Sequence, residues 1–279
     1  MRFNKVEITN AKDKRVASTQ LPRFGVAVAI FIACLNVIST AQANSPDWDE
    51  YDGLLKTYVV SGTTAGVALN QVDYGRLAQD PAFSQQVQNL ANFRTHELQD
   101  RDETLAFYIN AYNILALKIV IENLPLESIK DVGNFFRPVW KREAGVIGGK
   151  PVSLHEIEHD VLRKMNDPRI HFAIVCASVS CPDLRMEAYR AEKLHDQLDS
   201  QSRDFLLNSK KGLRLGDENA DISQIFKWFD KDFAGHGGVE GFIRRYYPLP
   251  NGVRLRTTID YNWSLNARRV QEYRLLESR

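Results

Sequence analysis

The spacing of apolar positions predicts a mainly helical domain with a few short strands. Over residues 107–121 apolar side chains occupy every side of a helical projection: Phe107, Ile109, Ile114, Leu115, Leu117, Ile119, Val120 and Ile121. A helix without a polar face is buried, so this segment is expected to be the central one. Asp102 is placed to cap its start, and Pro125 to end it after Asn123. A short amphipathic helix is predicted over 47–60, followed by a Gly/Thr-rich stretch at 61–66. Residues 81–93, 225–233 and 239–246 read as further helices, and 183–208 as mainly helical. Residues 144–152 form a hairpin pattern turning at Gly148-Gly149. Ser153 is placed to cap a helix reaching Met165, and Asp167-Pro168 marks a turn. The apolar run 170–176 has strand length, 213–215 and Ile222 are short strand candidates, and 253–261 alternates as a closing strand. Helices and strands do not alternate regularly. The expected class is therefore α+β, mainly helical with a small antiparallel or mixed sheet, rather than a doubly wound fold.

One apolar run stands apart. Residues 24–38 read FGVAVAIFIACLNVI, preceded by basic residues and followed by Ala41-Gln42-Ala43. That order is the layout of a secretory signal cleaved after Ala43. The run is shorter than the roughly 20 apolar residues that span a bilayer. An uncleaved anchor, or lipidation at Cys34, are the competing readings. The chain thus divides into a signal peptide (1–43), an N-terminal helical extension (44–71) and one main domain (72–279). It is expected in the periplasm or secreted, with no other segment read as a membrane span.

Composition excludes several classes. With 279 residues, 25% charged and 44% hydrophobic, the chain is neither fibrous, collagenous nor wholly disordered. The formal charge is +1, but the first 43 residues hold six Lys/Arg and two Asp/Glu, which leaves the rest at −3. A slightly acidic body has no broad field for phosphate backbones, so nucleic acid is not an expected partner. A small molecule or a peptide of unidentified nature is.

The candidate chemistry lies between residues 110 and 182. His155-Glu156-Ile157-Glu158-His159 satisfies H-E-x-x-H, in which two His one turn apart bind zinc. On an α-helical wheel, however, Glu158 falls inside the arc of Leu154, Ile157, Val161, Leu162 and Met165, with the two His on its flank. No third ligand stands out downstream, so metal and cofactor are not expected. A carboxylate in an apolar stripe is costly unless paired, for instance with Arg163 or Arg169. The alternative is a site carboxylate with a displaced pKa.

Further along, regular strand alternation puts His171 and Cys176 on opposite faces, which makes Cys176 a core thiol. Cys181 precedes Pro182, a favoured first helical residue, where a helix dipole favours the thiolate. In an oxidising compartment the two cysteines can instead be joined, and closing so short a loop stabilises by about 2 kcal/mol. Asn110 and Asn113 share a face of the central helix and need partners. They brace a neighbouring loop or, with Arg169, bind substrate. Trp228, Phe229, Tyr261 and Trp263 form either core or an aromatic wall for carbohydrate.

Taken together, these residues resemble a known family, the domain of unknown function 547 (DUF547). Its signposts occur in order: Val72-Asp73-Tyr74; 107–113 (FYINAYN); Ser153-Leu154 with Ile157-Glu158-His159; Asp167-Pro168-Arg169 with His171-Phe172-Ala173; Cys176 with Ser180-Cys181-Pro182; 225–229 (IFKWF); and 263–266 (WSLN). The resemblance covers about residues 72–266. It implies a role for Glu158 and His159 but leaves position 155 open, and it places an Asp where this chain has Asn262. A remoter likeness to papain-like and transglutaminase-like folds puts their nucleophile position near Asn110, which is no cysteine. Three functions are expected from this reading. The first is a thiol hydrolase of peptide or amide bonds, with Cys181 as nucleophile, His171 or His159 as base and Glu158 as orienting acid. The second is a non-catalytic envelope binding module with oxidised cysteines. The third is a zinc hydrolase using His155 and His159.

Overall fold

The computed structural model describes residues 48–134 and 136–268. The segment read as a signal, with Cys34 and the cleavage expected after Ala43, lies outside them. Helix α1 (Trp48–Tyr58) buries Tyr51, Leu54, Leu55 and Tyr58, the spacing of one helical face. It leads into a hairpin of β1 (Val59–Thr64) and β2 (Val67–Val72). The Gly/Thr-rich stretch is therefore strand and turn, reversing at Ala65-Gly66, both with positive φ. Residues 48–72 pack into the same apolar core as the main domain.

A short helix α2 (Tyr74–Leu77) and α3 (Pro81–Asn92) follow, capped by Asp73 and Asp80. The central helix α4 (Arg101–Glu122) is as buried as its sequence predicts. Its cap is Asp100, whose side chain accepts from the Glu103 N–H at 2.8 Å, and not Asp102. By length and apolarity α4 would also pass for a membrane span, contrary to expectation. Some 78% of its apolar window is buried inside this fold, which accounts for its composition.

The hairpin β3 (Glu143–Ile147) and β4 (Lys150–Ser153) turns at Gly148-Gly149, with φ of 57° and 76°. Both turn positions need the left-handed region that glycine enters at no steric cost. Helix α5 (Leu154–Glu156) runs on as a π turn (Ile157–Leu162) and a 3-10 turn ending at Asn166, which has φ 54°.

Residues 170–176 are not a strand. After the Asp167-Pro168 turn, the N–H groups of Ile170, His171 and Phe172 donate to the carbonyls of Asp167, Pro168 and Arg169. They form one helical turn, α6 (Ile170–Ala173). A short apolar run has no periodicity to separate strand from buried helix, and the turn chemistry before it decided the outcome. Residues 183–190 are likewise irregular, and α7 spans only Leu194–Leu207.

The rest is a mixed sheet of β5 (Leu213–Leu215), β6 (Asn219–Ser223) and β7 (Arg254–Ile259), in which β6 pairs antiparallel with β5 and parallel with β7. Helices α8 (Gln224–Trp228), α9 (Asp230–Phe233) and α10 (Gly238–Tyr246) lie between β6 and β7 in sequence. A second aromatic core gathers Phe172, Phe205, Phe226, Phe233 and Phe242. The class is α+β and mainly helical, as expected.

Candidate active site

A cleft of about 240 Å3 gathers most of the chemistry singled out in the sequence. Its first wall is the helix after Ser153. That helix starts with a capping box: the Ser153 hydroxyl accepts from the Glu156 N–H, and the Glu156 carboxylate accepts from the Ser153 N–H. The π turn that follows widens the helix, so an α-helical wheel misplaces its residues. His155, Glu158 and His159 all line the cleft.

The Glu158 carboxyl has no ion pair or hydrogen bond among the described residues. Arg163 is engaged with Asp232 and His159, and Arg169 with Asp167 and Asp199. Burial pushes the Glu158 carboxyl up to about 7; Arg163 pulls the other way, and Cys176 and Asp232 reinforce the rise. Near neutrality it carries a proton much of the time.

A polar chain runs beside it. Asp232 accepts two hydrogen bonds from Arg163, at 2.6 and 2.7 Å, and faces His171 Nε2 at 2.8 Å. Arg163 also lies 2.6 Å from His159 Nδ1. Burial brings His159 down to about 4, with His155 and Arg163 adding to the effect. Burial also lowers His171, against the opposing pull of Asp232. Both imidazoles are thus neutral at pH 7. In His171, Nε2 then carries the proton toward Asp232, and the buried Nδ1 is an acceptor without a partner. Phe229 stacks on the His171 ring at 3.9 Å.

The opposite wall is the loop 174–182, held from two sides. From α4, Asn113 donates to the Ala173 carbonyl at 3.1 Å and accepts from the Val175 N–H at 2.9 Å. From the end of the chain, the segment 262–266 pairs with residues 177–180. Val179 N–H donates to the Ser264 carbonyl, Ser180 N–H to that of Asn262, and Asn266 N–H to that of Ala177. Asn262 Oδ1 accepts from the Ser264 N–H at 2.9 Å, a bond that an Asp would make equally. Between these anchors Ala177 sits at φ 58°, a strained position for a residue with a Cβ, immediately after Cys176.

Cys176 is half-buried on the cleft wall. Its sulfur lies 3.0 Å from the Ser178 hydroxyl and 3.2 Å from the Tyr261 hydroxyl. Burial would raise this thiol, but hydrogen bonds from Cys181, Ser178 and Tyr261 outweigh it and bring it down to about 7. Cys181 is more deeply buried and begins no helix, so the dipole expected at Pro182 is absent. Its sulfur accepts the Cys176 N–H at 2.8 Å, and burial together with Cys176 pushes its thiol well up. The two cysteines are unbridged. The buried Lys211 holds the turn from beneath, donating to the Cys181 carbonyl and to Asp183.

Aromatic rings complete the cleft. Trp263 packs 4.6 Å from Tyr261 and 5.7 Å from Trp228, whose ring is 46% exposed. Trp140 lies 6.3 Å from Trp263.

Of the residues expected at the site, Glu158, His159, His171, Cys176 and Cys181 line this one cleft, with His171 and Cys176 no longer separated by strand alternation. Asn110 does not line it: its amide clamps the Tyr189 N–H and carbonyl at 2.9 and 2.8 Å, which is bracing. Asn113 acts through the loop, and Arg169 belongs to a separate cluster with Asp167, Asp199 and His195. Among the described residues no three His, Cys, Asp or Glu side chains are grouped to hold a metal ion. His155 and His159 stack at 4.1 Å, and Nδ1 of the latter faces a guanidinium. Asp232 was missed by sequence reasoning. It is one acid of an Asp-Lys-Asp run, and only the fold brings it to His171.

Residues 95–206 match the sequence profile of the family described as "Protein of unknown function, DUF547". No curated protein and no solved structure matches the chain.

Proposed function

Through residues 95–206 the chain belongs to the DUF547 family, and from the cleft that this segment largely builds we propose that the protein is a thiol-dependent hydrolase of peptide or amide bonds, with Cys176 as its nucleophile. The observation that carries this reading is the Cys176 sulfur, held by two hydroxyl groups on the wall of a cleft that Glu158 also lines. A thiolate is the attacking form, and a thiol brought to about 7 supplies it at neutral pH. Attack on the acyl carbon makes a thioester and expels an amine. Protonated Glu158 gives the departing nitrogen its proton, and the resulting carboxylate takes a proton from the water that releases the acyl group. Neutral His171, fixed by Asp232, keeps Nδ1 as an acceptor, whereas His159, whose Nδ1 accepts from Arg163, has Nε2–H as a donor. Cys181, expected as the nucleophile, supports the loop instead.

Arg163, the cation beside Glu158 and His159, is already paired with Asp232, which favours an uncharged ligand portion here. Trp228, Trp263 and Tyr261 offer ring faces for a flat or apolar flank. The same wall favours a second reading, a binding module for a ring-bearing ligand that carries out no reaction. The N-terminal apolar run supports export, which puts either role outside the cytoplasm.

The test uses a panel of uncharged aryl esters and anilides with the full chain. Acyl mass is expected on the tryptic peptide 170–185, which contains both cysteines, and is expected to vanish in Cys176→Ser. An unacylated wild-type peptide, or acylation that persists in Cys176→Ser, overturns the hydrolase. Retained binding of the same compounds without acylation supports the binding module.

A further inference from the structure

The two thiols of the cleft are adjacent, and hydrolysis uses only one of them. The Cys181 sulfur touches the backbone nitrogen of Cys176 at 2.8 Å. That nitrogen is one bond of about 1.46 Å from the Cys176 Cα, so the sulfur lies no more than about 4.3 Å from that Cα. This is within the reach of a bridge between the two residues. Both line the cleft, Cys176 partly exposed and Cys181 buried. One sulfur is therefore the more accessible to a small reagent, and the second is held against the backbone of the first.

We propose that Cys176 and Cys181 are a peroxide-reactive dithiol, in which Cys176 is oxidised by a hydroperoxide and Cys181 resolves it to a reversible disulfide. The reaction balances in two steps. The Cys176 thiolate attacks the terminal oxygen of ROOH. A sulfur–oxygen bond forms, the oxygen–oxygen bond breaks, and RO− leaves to take a proton from water. Sulfur supplies the two electrons that reduce the peroxide. The Cys181 thiol then attacks the sulfenic sulfur: the sulfur–sulfur bond forms, the sulfur–oxygen bond breaks, and hydroxide leaves with the Cys181 proton as water. Reduction of the bridge by a dithiol restores both thiols.

Burial sets the division of labour. An exposed thiolate with no partner is carried on to sulfinic acid by excess peroxide, a product that dithiols do not reverse. A resolving thiol already in contact intercepts the first product. The bridge removes the Cys176 nucleophile, so peroxide would switch off any acyl chemistry of the cleft. The oxidation itself needs no hydrolase and stands without that reading.

Hydrogen peroxide is the probe, added in a few-fold excess to the reduced full chain. The readout is the mass of peptide 170–185, which excludes Cys34. In the wild type this peptide is expected to become two hydrogens lighter and to recover on dithiothreitol treatment. In Cys181→Ser it is expected to gain one and then two or three oxygens. In Cys176→Ser it is expected to stay unmodified at the same dose. A wild-type peptide that gains oxygen without losing hydrogen overturns the proposal, as does one that oxidises no faster than Cys176→Ser. The wild-type arm decides the matter even if a variant fails to fold. Acylation and peroxide mass changes are read separately, so failure of the hydrolase leaves this result interpretable.

Discussion

The Cys176 sulfur lies 3.2 Å from the Tyr261 hydroxyl, a contact between positions 85 residues apart. Burial and the two thiols push the Tyr261 hydroxyl well above its ordinary value, so it keeps its proton and donates. Hydrogen bonds to a charged group contribute about 1.5–3 kcal/mol, or about one pKa unit for the lower figure. Tyr261→Phe removes one donor from the thiolate and leaves the ring stack with Trp228 and Trp263. The midpoint of Cys176 alkylation against pH is expected to rise by about one unit in this variant. An unmoved midpoint would mean that the hydroxyl does not stabilise the thiolate.

Glu158 makes stability depend on pH in a direction unusual for a carboxyl. Its folded value, about 7, lies above its ordinary 4.5. The folded state therefore holds the proton more tightly, and this contribution is complete below pH 4.5 and lost as pH rises through 7. Glu158→Gln cannot ionise and escapes that loss. Urea unfolding should find the variant more stable than the wild type at pH 8, by about 3 kcal/mol, and equal to it at pH 4. In the same variant acyl transfer is expected to fall by about 10²-fold or more, because the proton donor is gone. Equal stability at both pH values would contradict the buried-carboxyl assignment.

The two asparagines of α4 look alike in sequence and serve different loops. Asn110 holds Tyr189, whereas Asn113 holds Ala173 and Val175, just before Cys176. Either change to Ala strands two buried backbone groups and should cost about 2–4 kcal/mol in chemical denaturation. Only Asn113→Ala is expected to shift Cys176 alkylation as well. A shift of equal size in Asn110→Ala would show that the effect is general loosening.

Trp228 is half exposed, and its removal tests the aromatic wall with little harm to the core. Trp228→Ala should change stability by about 1 kcal/mol or less, as for other exposed sites. For acyl compounds with an aromatic flank KM is expected to rise several-fold with kcat nearly unchanged. An unchanged KM would remove the ring from the binding surface.

What the chain reveals before it is folded follows from how local each signal is. The central helix, the Gly148-Gly149 turn and the Ser153 cap are written in adjacent residues, and all three are found. Glu158 stood out because a carboxyl interrupts an apolar arc, and it lines the cleft. The turn at 170–173 was hidden, since a run of apolar residues fits a strand or a buried helix equally. That error separated His171 from Cys176 and, with the helix start expected at Pro182, made Cys181 the preferred nucleophile. The π turn at 157–162 and the partnership of His171 with Asp232 are tertiary, and no spacing within the chain announces them.

The central claim is that Cys176, and not Cys181, is the thiolate of this cleft. It is tested most directly by iodoacetamide labelling of the reduced native protein between pH 5 and 10, read on peptide 170–185. The account predicts a single label at Cys176, with a rate that rises through a midpoint near pH 7 and with Cys181 protected until the chain unfolds. A midpoint at the ordinary thiol value of about 8.5, or labelling of Cys181 first, would contradict it.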